Sequence, residues 1–234
     1  MRYTADMQKT AFFDLDYTLY EGYTASALLR FLADHGHIKA SLADEIHQLH
    51  EDYSAGLINY RDAAERALKL NAAVVAGKTE AEVAEWTRRF VHATSDRLYP
   101  WTDKLMRILH EKGYKVCIIS ASMDFTVKAV AEVLGADRHY GSVAEVESGV
   151  YTGELTHLLN FEEKHAIVQK LLQETQHETH VGFGDSEGDV DMLSAMDKAV
   201  LYNPKSPDLV TLAHERGWFI ASEDTILDYA RDHL

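Results

Sequence analysis

Two aspartates follow a short apolar stretch near the start of the chain, and their spacing suits a metal site. Residues 11–13 are Ala-Phe-Phe, and Asp14 and Asp16 follow with one residue between them. Such a run is typical of a strand buried on both faces, and open α/β sheets bind ligands at the carboxyl ends of their strands. Residues two apart on an extended chain point the same way, so both carboxylates would face one site. Their repulsion favours a hard divalent cation such as Mg²⁺, although aspartates are also common in turns.

A second acidic cluster follows another apolar run, residues 180–184. Asp185 falls at the end of this predicted strand, and Asp189 comes four residues later. Glycines at 182, 184 and 188 would leave room for the backbone to approach a ligand. The acids predict a metal site, and a capped helix with surface acids is the alternative.

Two further positions could bind a phosphate group. Ser120 ends another predicted strand just before a helix, where its hydroxyl, the adjacent N–H groups and the helix dipole could hold a phosphate oxygen. Lys164 lies in the first turn of a predicted helix, where a positive charge opposes the dipole, so a phosphate-facing role would explain it. The alternatives are a helix N-cap at Ser120 or Ser122 and a solvated surface lysine at position 164.

The hydrophobic periodicity divides the chain into two kinds of region. Between residues 21 and 94 one helical pattern follows another, which is more helix than a crossover between parallel strands needs. After residue 100 apolar strands alternate with helices, which indicates a parallel sheet covered on both faces. We therefore predict an α/β fold with a Rossmann-like catalytic core of residues 1–20 and 95–234 and an inserted all-helical cap domain of residues 21–94. Such a cap would close over the strand ends and exclude water.

The composition restricts the class of protein. The chain has 234 residues, of which 46% are hydrophobic and 26% charged, as in ordinary soluble globular proteins. The formal net charge of −15 disfavours non-specific binding to nucleic acid or to anionic membranes. The single cysteine, Cys117, excludes an intrachain disulfide and fits a reducing cytoplasm. The polar first ten residues and the lack of a long apolar stretch predict a cytoplasmic protein that is not exported.

These chemical positions occur in an order that resembles the haloacid dehalogenase-like phosphatases. The pattern Asp-x-Asp-x-Thr at residues 14–18 resembles the first motif of that family, and Ser120 and Lys164 match its second and third. The sequence Gly-Asp-Ser-x-Gly-Asp at residues 184–189 closely resembles the fourth. The helical segment 21–94 and the Ser-Ala-Ser triplet that begins at Ser120 are similar to the phosphoserine phosphatase-like branch.

The resemblance implies a Mg²⁺-dependent phosphatase that acts on a small phosphomonoester. In such an enzyme Asp14 would attack phosphorus and form an aspartyl-phosphate, while Asp16 would protonate the leaving alcohol and then activate water. The implied metal-binding residues are Asp14, Asp16 through its backbone carbonyl, Asp185 and Asp189. The implied phosphate-binding residues are Thr18, Ser120, Ala121 and Lys164.

The substrate-binding residues of the cap depart from the family pattern. Phosphoserine phosphatases usually place an arginine seven residues after a phenylalanine. Tyr60 could stand for the aromatic residue here, but Arg61 and Arg66 are out of step and position 67 is alanine. Glu21 is the candidate that would meet a substrate ammonium group, also with a shifted spacing. These four residues are the predicted cap contacts, and the predicted substrate is phosphoserine or another amino-alcohol phosphate.

Two other functions fit the same residues. A phosphotransferase would pass the phosphoryl group from Asp14 to an alcohol other than water. A non-catalytic binding protein is the third hypothesis, because a fold does not fix a function. In each case we expect a monomer or homodimer with no nucleic-acid or membrane partner.

Overall fold

The centre of the molecule is a seven-stranded sheet. The computed structural model describes residues 9–174 and 179–234, apart from the side chains of Ser54 and Tyr60. The strands are β1 (Lys9–Phe13), β2 (Tyr114–Met123), β3 (Arg138–Glu147), β4 (Val150–His157), β5 (His180–Gly184), β6 (Lys198–Tyr202) and β7 (Phe219–Ala221). Their order in the sheet is β4-β3-β2-β1-β5-β6-β7, and every neighbouring pair is parallel except β3 and β4.

Helices cover the sheet and form a separate insertion between its first two strands. The insertion contains α1 (Thr24–Asp34), α2 (Ala40–Ser54), α3 (Tyr60–Val74) and α4 (Glu80–Ala93). The helices that flank the sheet are α5 (Thr102–Glu111), α6 (Asp124–Leu134), α7 (Phe161–Glu174), α8 (Val190–Ser194), α9 (Pro207–Arg216) and α10 (Ile226–His233). The predicted α/β class with an inserted helical cap is thus confirmed, while the domain limits at residues 20/21 and 94/95 stay a prediction.

Strand β1 is held in place from both faces. Phe13 belongs to the larger hydrophobic core and stacks on Phe183 with ring centroids 4.3 Å apart. Phe12 points to the opposite face and joins a second core with Cys117, which is buried and forms no disulfide. This alternation is what a strand produces, and it fixes the point at which Asp14 leaves the sheet.

The cap is joined to the core through the backbone as well as through the chain connections. The turn between α3 and α4 lies beside the β3–β4 hairpin. The N–H of Gly77 donates to the carbonyl of Tyr151 (2.8 Å), the N–H of Tyr151 donates to Lys78 (2.8 Å), and the N–H of Glu80 donates to Gly149 (3.1 Å). Backbone bonds of this kind resemble a short additional strand pairing, so the hairpin supports the cap from the side of the sheet.

Within the described ranges, no helix combines the length and the apolar character that crossing a membrane requires.

Candidate active site

The first two aspartates lie on a tight turn that leaves β1. Tyr17 adopts a left-handed backbone conformation (φ 60°), and its N–H donates to the carbonyl of Tyr20 (2.7 Å). The N–H groups of Leu19 and Tyr20 both donate to the carbonyl of Leu15 (2.9 and 3.0 Å). The turn thereby reverses the chain directly after the strand, and Asp14 and Asp16 both line one cavity beyond it.

Three neighbouring strands bring the chemical residues together. Strand β1 lies between β2 and β5 in parallel register, with Phe13 opposite both Ile118 and Phe183. Asp14 follows β1 and Asp185 follows β5, whereas Ser120 lies near the carboxyl end of β2. The carboxyl ends of parallel strands share one edge of the sheet, which is why residues so far apart in sequence meet there.

Asp16 is held by residues that the sequence analysis did not assign to the site. Its Oδ1 accepts a hydrogen bond from the N–H of Thr24 (2.9 Å), and its Oδ2 accepts one from the hydroxyl of Ser122 (2.9 Å). The hydroxyls of Thr24 and Ser122 lie 2.8 Å apart and are hydrogen-bonded to each other. Burial raises the pKa of Asp16, and these hydrogen bonds oppose the rise. The spacing of Ser122, two residues after Ser120 on one strand, is the signal that could have revealed its role.

The predicted end of β2 at Ser120 is wrong. The strand continues to Met123, and Met123 is the N-cap residue of α6, with no side-chain capping bond. Ser120 and Ser122 are therefore strand residues, and neither caps the helix. Ser120 is 2% exposed and lines the cavity, and its Oγ accepts a hydrogen bond from the N–H of Ser122 (3.1 Å). Because α6 starts four residues later, the dipole argument for a phosphate at Ser120 has no structural support.

Lys164 is buried between two aspartates, so the alternative of a solvated surface lysine is wrong. It is 5% exposed, and its Nζ lies 2.8 Å from Asp14 Oδ1 and 2.6 Å from Asp189 Oδ1. Asn160 fixes the start of its helix, because its Oδ1 accepts a hydrogen bond from the N–H of Glu163 (2.9 Å). The two aspartates raise the pKa of Lys164 although burial opposes its charged form, so the ammonium stays charged.

Three carboxylates form the one group in the described part of the chain whose geometry could hold a metal ion. Oxygen atoms of Asp14, Asp185 and Asp189 all lie within 4.8 Å of one another. Burial, together with the neighbouring carboxylates, raises the pKa of Asp14 to about 7 and that of Asp185 to about 9. Lys164 compensates only part of this negative charge. Hard oxygen donors with an excess of negative charge fit a divalent cation such as Mg²⁺.

The oxygens of Asp189 are all engaged by protein donors. Oδ1 accepts from Lys164, and Oδ2 accepts from the N–H groups of Asp185 (3.1 Å) and Ser186 (3.2 Å) and from the Ser186 hydroxyl (3.2 Å). Asp185 is supported differently, because the hydroxyl of Thr18 donates to its Oδ1 (3.2 Å). Thr18 does not line the cavity, so its hydroxyl supports an acidic residue rather than facing a phosphate.

The glycines at positions 182, 184 and 188 make room for protein side chains, and Gly188 also lines the cavity. A Cβ at Gly184 would lie 2.5 Å from the Cβ of Asp189, and a Cβ at Gly188 would lie 2.5 Å from the Phe161 ring. A Cβ at Gly182 would lie 2.9 Å from the side chain of Met196. The prediction that the backbone leaves room for a ligand is therefore wrong at Gly182 and Gly184, which do not line the cavity, and stays a prediction at Gly188.

The predicted cap contacts do not come together with the site. Glu21, Arg61 and Arg66 are exposed and do not line the cavity. Arg61 instead lies 3.1 Å from Glu162 at the surface. The side chain of Tyr60 lies outside the described part of the structure. Arg66 and Arg61 lie one and six residues before position 67, where the family spacing would place the arginine, and both are on the exposed side of α3.

The cavity lies between the sheet edge and the cap and has a volume of about 360 Å³. The cap lines it with uncharged residues. These are Tyr23, Ala25, His50, Tyr53, Ala63, Ala64, Ala67 and Leu68. The core contributes the chemical residues, including Ala121, together with Leu159 and Phe161. The helical periodicity predicted the helices that carry these residues, but it did not reveal that the residues face a cavity.

Comparison with known proteins places the chain in a family. A sequence model of the haloacid dehalogenase-like hydrolases matches residues 11–194. Phosphoserine phosphatase SerB1 of Mycobacterium tuberculosis is 31% identical over 222 residues, which cover 92% of this chain and 71% of that protein. A solved structure of a protein with unknown function from Bordetella pertussis Tohama I is 25% identical, with a TM-score of 0.77 over 93% of this chain and 99% of that one.

A second solved structure supports the same fold. A phosphoserine phosphatase solved with bound substrate has a TM-score of 0.64 and 21% identity, over 95% of this chain and 98% of that one. The predicted family and the predicted enzyme class are confirmed by these matches together. The chain belongs to the haloacid dehalogenase-like hydrolases and is an enzyme of that family.

Proposed function

We propose that the protein is a Mg²⁺-dependent phosphatase that hydrolyses a small phosphomonoester through an aspartyl-phosphate on Asp14. The observation that carries the proposal is the convergence of Asp14, Asp16, Lys164 and Asp185 at one end of a single cavity. Relatives named phosphoserine phosphatase, such as the M. tuberculosis protein, support the same reaction class.

The first step transfers the phosphoryl group to the protein. Lys164 holds one carboxylate oxygen of Asp14, and the other oxygen attacks phosphorus. As the new P–O bond forms, the bond between phosphorus and the ester oxygen breaks, and Asp16 gives that oxygen its proton. Burial favours the protonated form of Asp16, and its hydrogen bonds from Thr24 and Ser122 favour the ionised form. A carboxyl group balanced in this way can act as acid and then as base.

The second step returns the protein to its starting state. Asp16, now ionised, takes a proton from a water molecule while the water oxygen attacks phosphorus. The bond between phosphorus and Asp14 breaks, inorganic phosphate leaves, and Asp14 is a free carboxylate again. The cap that covers the cavity limits the access of other water to the intermediate.

The phosphoryl oxygens are bound by the residues that surround Asp14. We assign this role to the hydroxyl of Ser120, the backbone N–H of Ala121 and the ammonium of Lys164, all of which belong to cavity-lining residues. Their positive ends stabilise the charge on the equatorial oxygens of a loose transition state.

In this scheme the residues that would bind the metal ion are Asp14 and Asp185. When bound, Mg²⁺ supplies a positive charge that reduces the repulsion between the Asp14 carboxylate and the phosphate. Asp189 is the less suitable direct ligand, because its oxygens already accept four hydrogen bonds. We assign to Asp189 the role of orienting Lys164 and the loop that contains Asp185.

The decisive experiment measures phosphate release from a panel of phosphomonoesters, with Mg²⁺ and with a chelator. Asp14→Asn keeps the shape of the side chain and removes the nucleophile, so release should be abolished. Asp191→Asn is the matched control, since Asp191 is exposed and does not line the cavity. Activity of Asp14→Asn at the wild-type level would overturn the mechanism. The amounts of phosphate and of alcohol released in the presence of glycerol separate hydrolysis from phosphotransfer. Hydrolysis releases the two in equal amounts, whereas transfer to glycerol releases more alcohol than phosphate.

A further inference from the structure

The cap contributes one part of the cavity lining, which we call the cap wall. The cap wall comprises Tyr23, Ala25, His50, Tyr53, Ala63, Ala64, Ala67 and Leu68. Its one titratable base, His50, is neutral at pH 7 because burial lowers its pKa to about 4. His50 Nδ1 lies 2.6 Å from the Ser26 hydroxyl, which satisfies this nitrogen within the protein. The cap wall therefore carries no positive charge.

In the described lining of the rest of the cavity, we find no unpaired cation that could bind a carboxylate. Among the described residues that line it, Lys164 is the only lysine or arginine, and it is paired with Asp14 and Asp189. The remaining charged residues of the lining are Asp16, Asp185 and Glu187. A carboxylate on the substrate would lose its hydration in these surroundings and meet like charges without a counter-charge.

Aromatic rings give the cavity a shape that suits a flat apolar group. The ring of Tyr23 lies 4.1 Å from the ring of His50 and meets Tyr17 edge-on at 5.0 Å, measured between centroids. Phe161 lines the cavity from the core and is 40% exposed, although large apolar side chains are usually covered. An exposed apolar surface in a cavity that also contains polar catalytic residues is typical of a binding site for the apolar part of a ligand.

We infer that the substrate is the phosphate ester of an alcohol that carries an aromatic or bulky apolar group and no carboxylate. The inference rests on the proposed function, because it places the phosphate at Ser120 and Lys164. The ring then lies between Phe161 and the cap wall, where stacking and edge contacts with aromatic neighbours favour it. Phosphoserine, with its carboxylate, is a poor substrate in this cavity.

Two pairs of esters test the inference on the wild-type protein with Mg²⁺. Ethyl phosphate and 2-phenylethyl phosphate have alkyl leaving groups of similar chemistry and differ in the ring. Phosphoethanolamine and phosphoserine differ in the carboxylate. We expect kcat/KM to rise about tenfold or more with the ring and to be no higher for phosphoserine than for phosphoethanolamine. A tenfold preference for phosphoserine, or no gain from the ring, would overturn the inference.

Variants connect the preference to the cap wall. Tyr23→Ala should lower kcat/KM for 2-phenylethyl phosphate about tenfold more than it lowers kcat/KM for ethyl phosphate. Leu57→Ala is the matched control, because Leu57 is an apolar cap residue that is 74% exposed and outside the cavity. Ala64→Arg, at a half-buried position of the cap wall, should raise kcat/KM for phosphoserine relative to kcat/KM for phosphoethanolamine. Equal losses on both alkyl esters in Tyr23→Ala, or an unchanged ratio in Ala64→Arg, would contradict the assignment.

The same measurements separate this inference from the proposed function. Suppose that Mg²⁺-dependent phosphate release by the wild-type protein shows no preference for the ring, and that Asp14→Asn abolishes this release. The proposed function then stands and the inference fails. If no ester is hydrolysed, the proposed function fails and the inference falls with it.

Discussion

At the scale of single residues, the position of Asp16 depends on Ser122. Ser122→Ala removes the hydroxyl that donates to Asp16 Oδ2 and leaves the N–H of Thr24 in place. A hydrogen bond to a charged group contributes about 1.5–3 kcal/mol, so we expect kcat to fall about tenfold or more. The pKa of Asp16 should rise, because the lost hydrogen bond opposed the effect of burial. The ionised form is needed to activate water, so the acid limb of the pH profile should move to higher pH.

The control for this prediction is Ser206→Ala. The Ser206 hydroxyl caps α9, and Ser206 does not line the cavity. Its loss should reduce stability without changing the pH profile. A pH profile in Ser122→Ala that coincides with the wild type would argue against a positioning role.

Lys164 is the second residue whose loss has a calculable effect. Lys164→Met keeps the length of the side chain but leaves Asp14 and Asp189 buried without their counter-charge. Breaking a buried ion pair from one side costs about 3–5 kcal/mol, and we expect this loss in the free energy of unfolding of the chelated protein. Denaturant titration measures it. Lys170→Met, on an exposed position of the same helix, should change stability by at most about 0.5 kcal/mol. Equal losses in the two variants would contradict the buried pairing.

At the scale of secondary-structure elements, the β3–β4 hairpin supports the cap at one glycine. Gly153 has φ of 97°, and a Cβ there would lie 2.9 Å from the Cβ of Ala76, two residues beyond the end of α3. Gly149 in the same hairpin has φ of 80°, with no atom near its missing Cβ. Both Gly→Ala substitutions carry the cost of the left-handed conformation, about 1–2 kcal/mol. Only Gly153→Ala adds a clash, so it should destabilise the protein by roughly a further 1–3 kcal/mol.

The location of the added cost can be measured by hydrogen exchange. Amides of α3 and of the turn at Gly77–Glu80 should exchange faster in Gly153→Ala than in Gly149→Ala, while β1 and β5 keep their protection. Identical exchange patterns in the two variants would show that the hairpin does not support the cap.

The elements themselves were largely predictable from the sequence, and their ends were less so. The alternation of apolar strands and helices gave the parallel sheet because buried strands and amphipathic helices have distinct periods. Strand β2 ran three residues beyond Ser120 since Ser122 and Met123 are buried in the sheet, which local propensity does not reveal. Asp14, Asp16 and Asp185 could be placed because each follows an apolar strand. The cap contacts could not, because the facing of α3 depends on its packing against α2 and β4.

At the scale of the whole molecule, the acidic site couples stability to pH and to metal. In the metal-free protein burial raises the pKa of Asp14 to about 7 and that of Asp185 to about 9, from an ordinary value of 3.8. The folded state then holds protons that the unfolded state has already released. Stability is therefore lost as pH rises from about 3.8 to about 7 for Asp14, and to about 9 for Asp185. The loss is about 1.4 kcal/mol per pH unit for each proton by which the two states differ. Mg²⁺ favours the ionised carboxylates and removes this loss.

We therefore expect the melting temperature of the chelated protein to fall from about pH 7 to about pH 9, and that of the Mg²⁺-saturated protein to fall much less. The burial of His50 does not interfere, because its lowered pKa affects stability only below about pH 6.5. Asp185→Asn removes the carboxyl with the higher pKa, about 9, and should flatten the curve of the chelated protein. Thermal unfolding at several pH values, with chelator and with Mg²⁺, measures both effects. Parallel curves with and without metal would mean that these carboxylates do not bind the ion, because binding to them must compete with their protons.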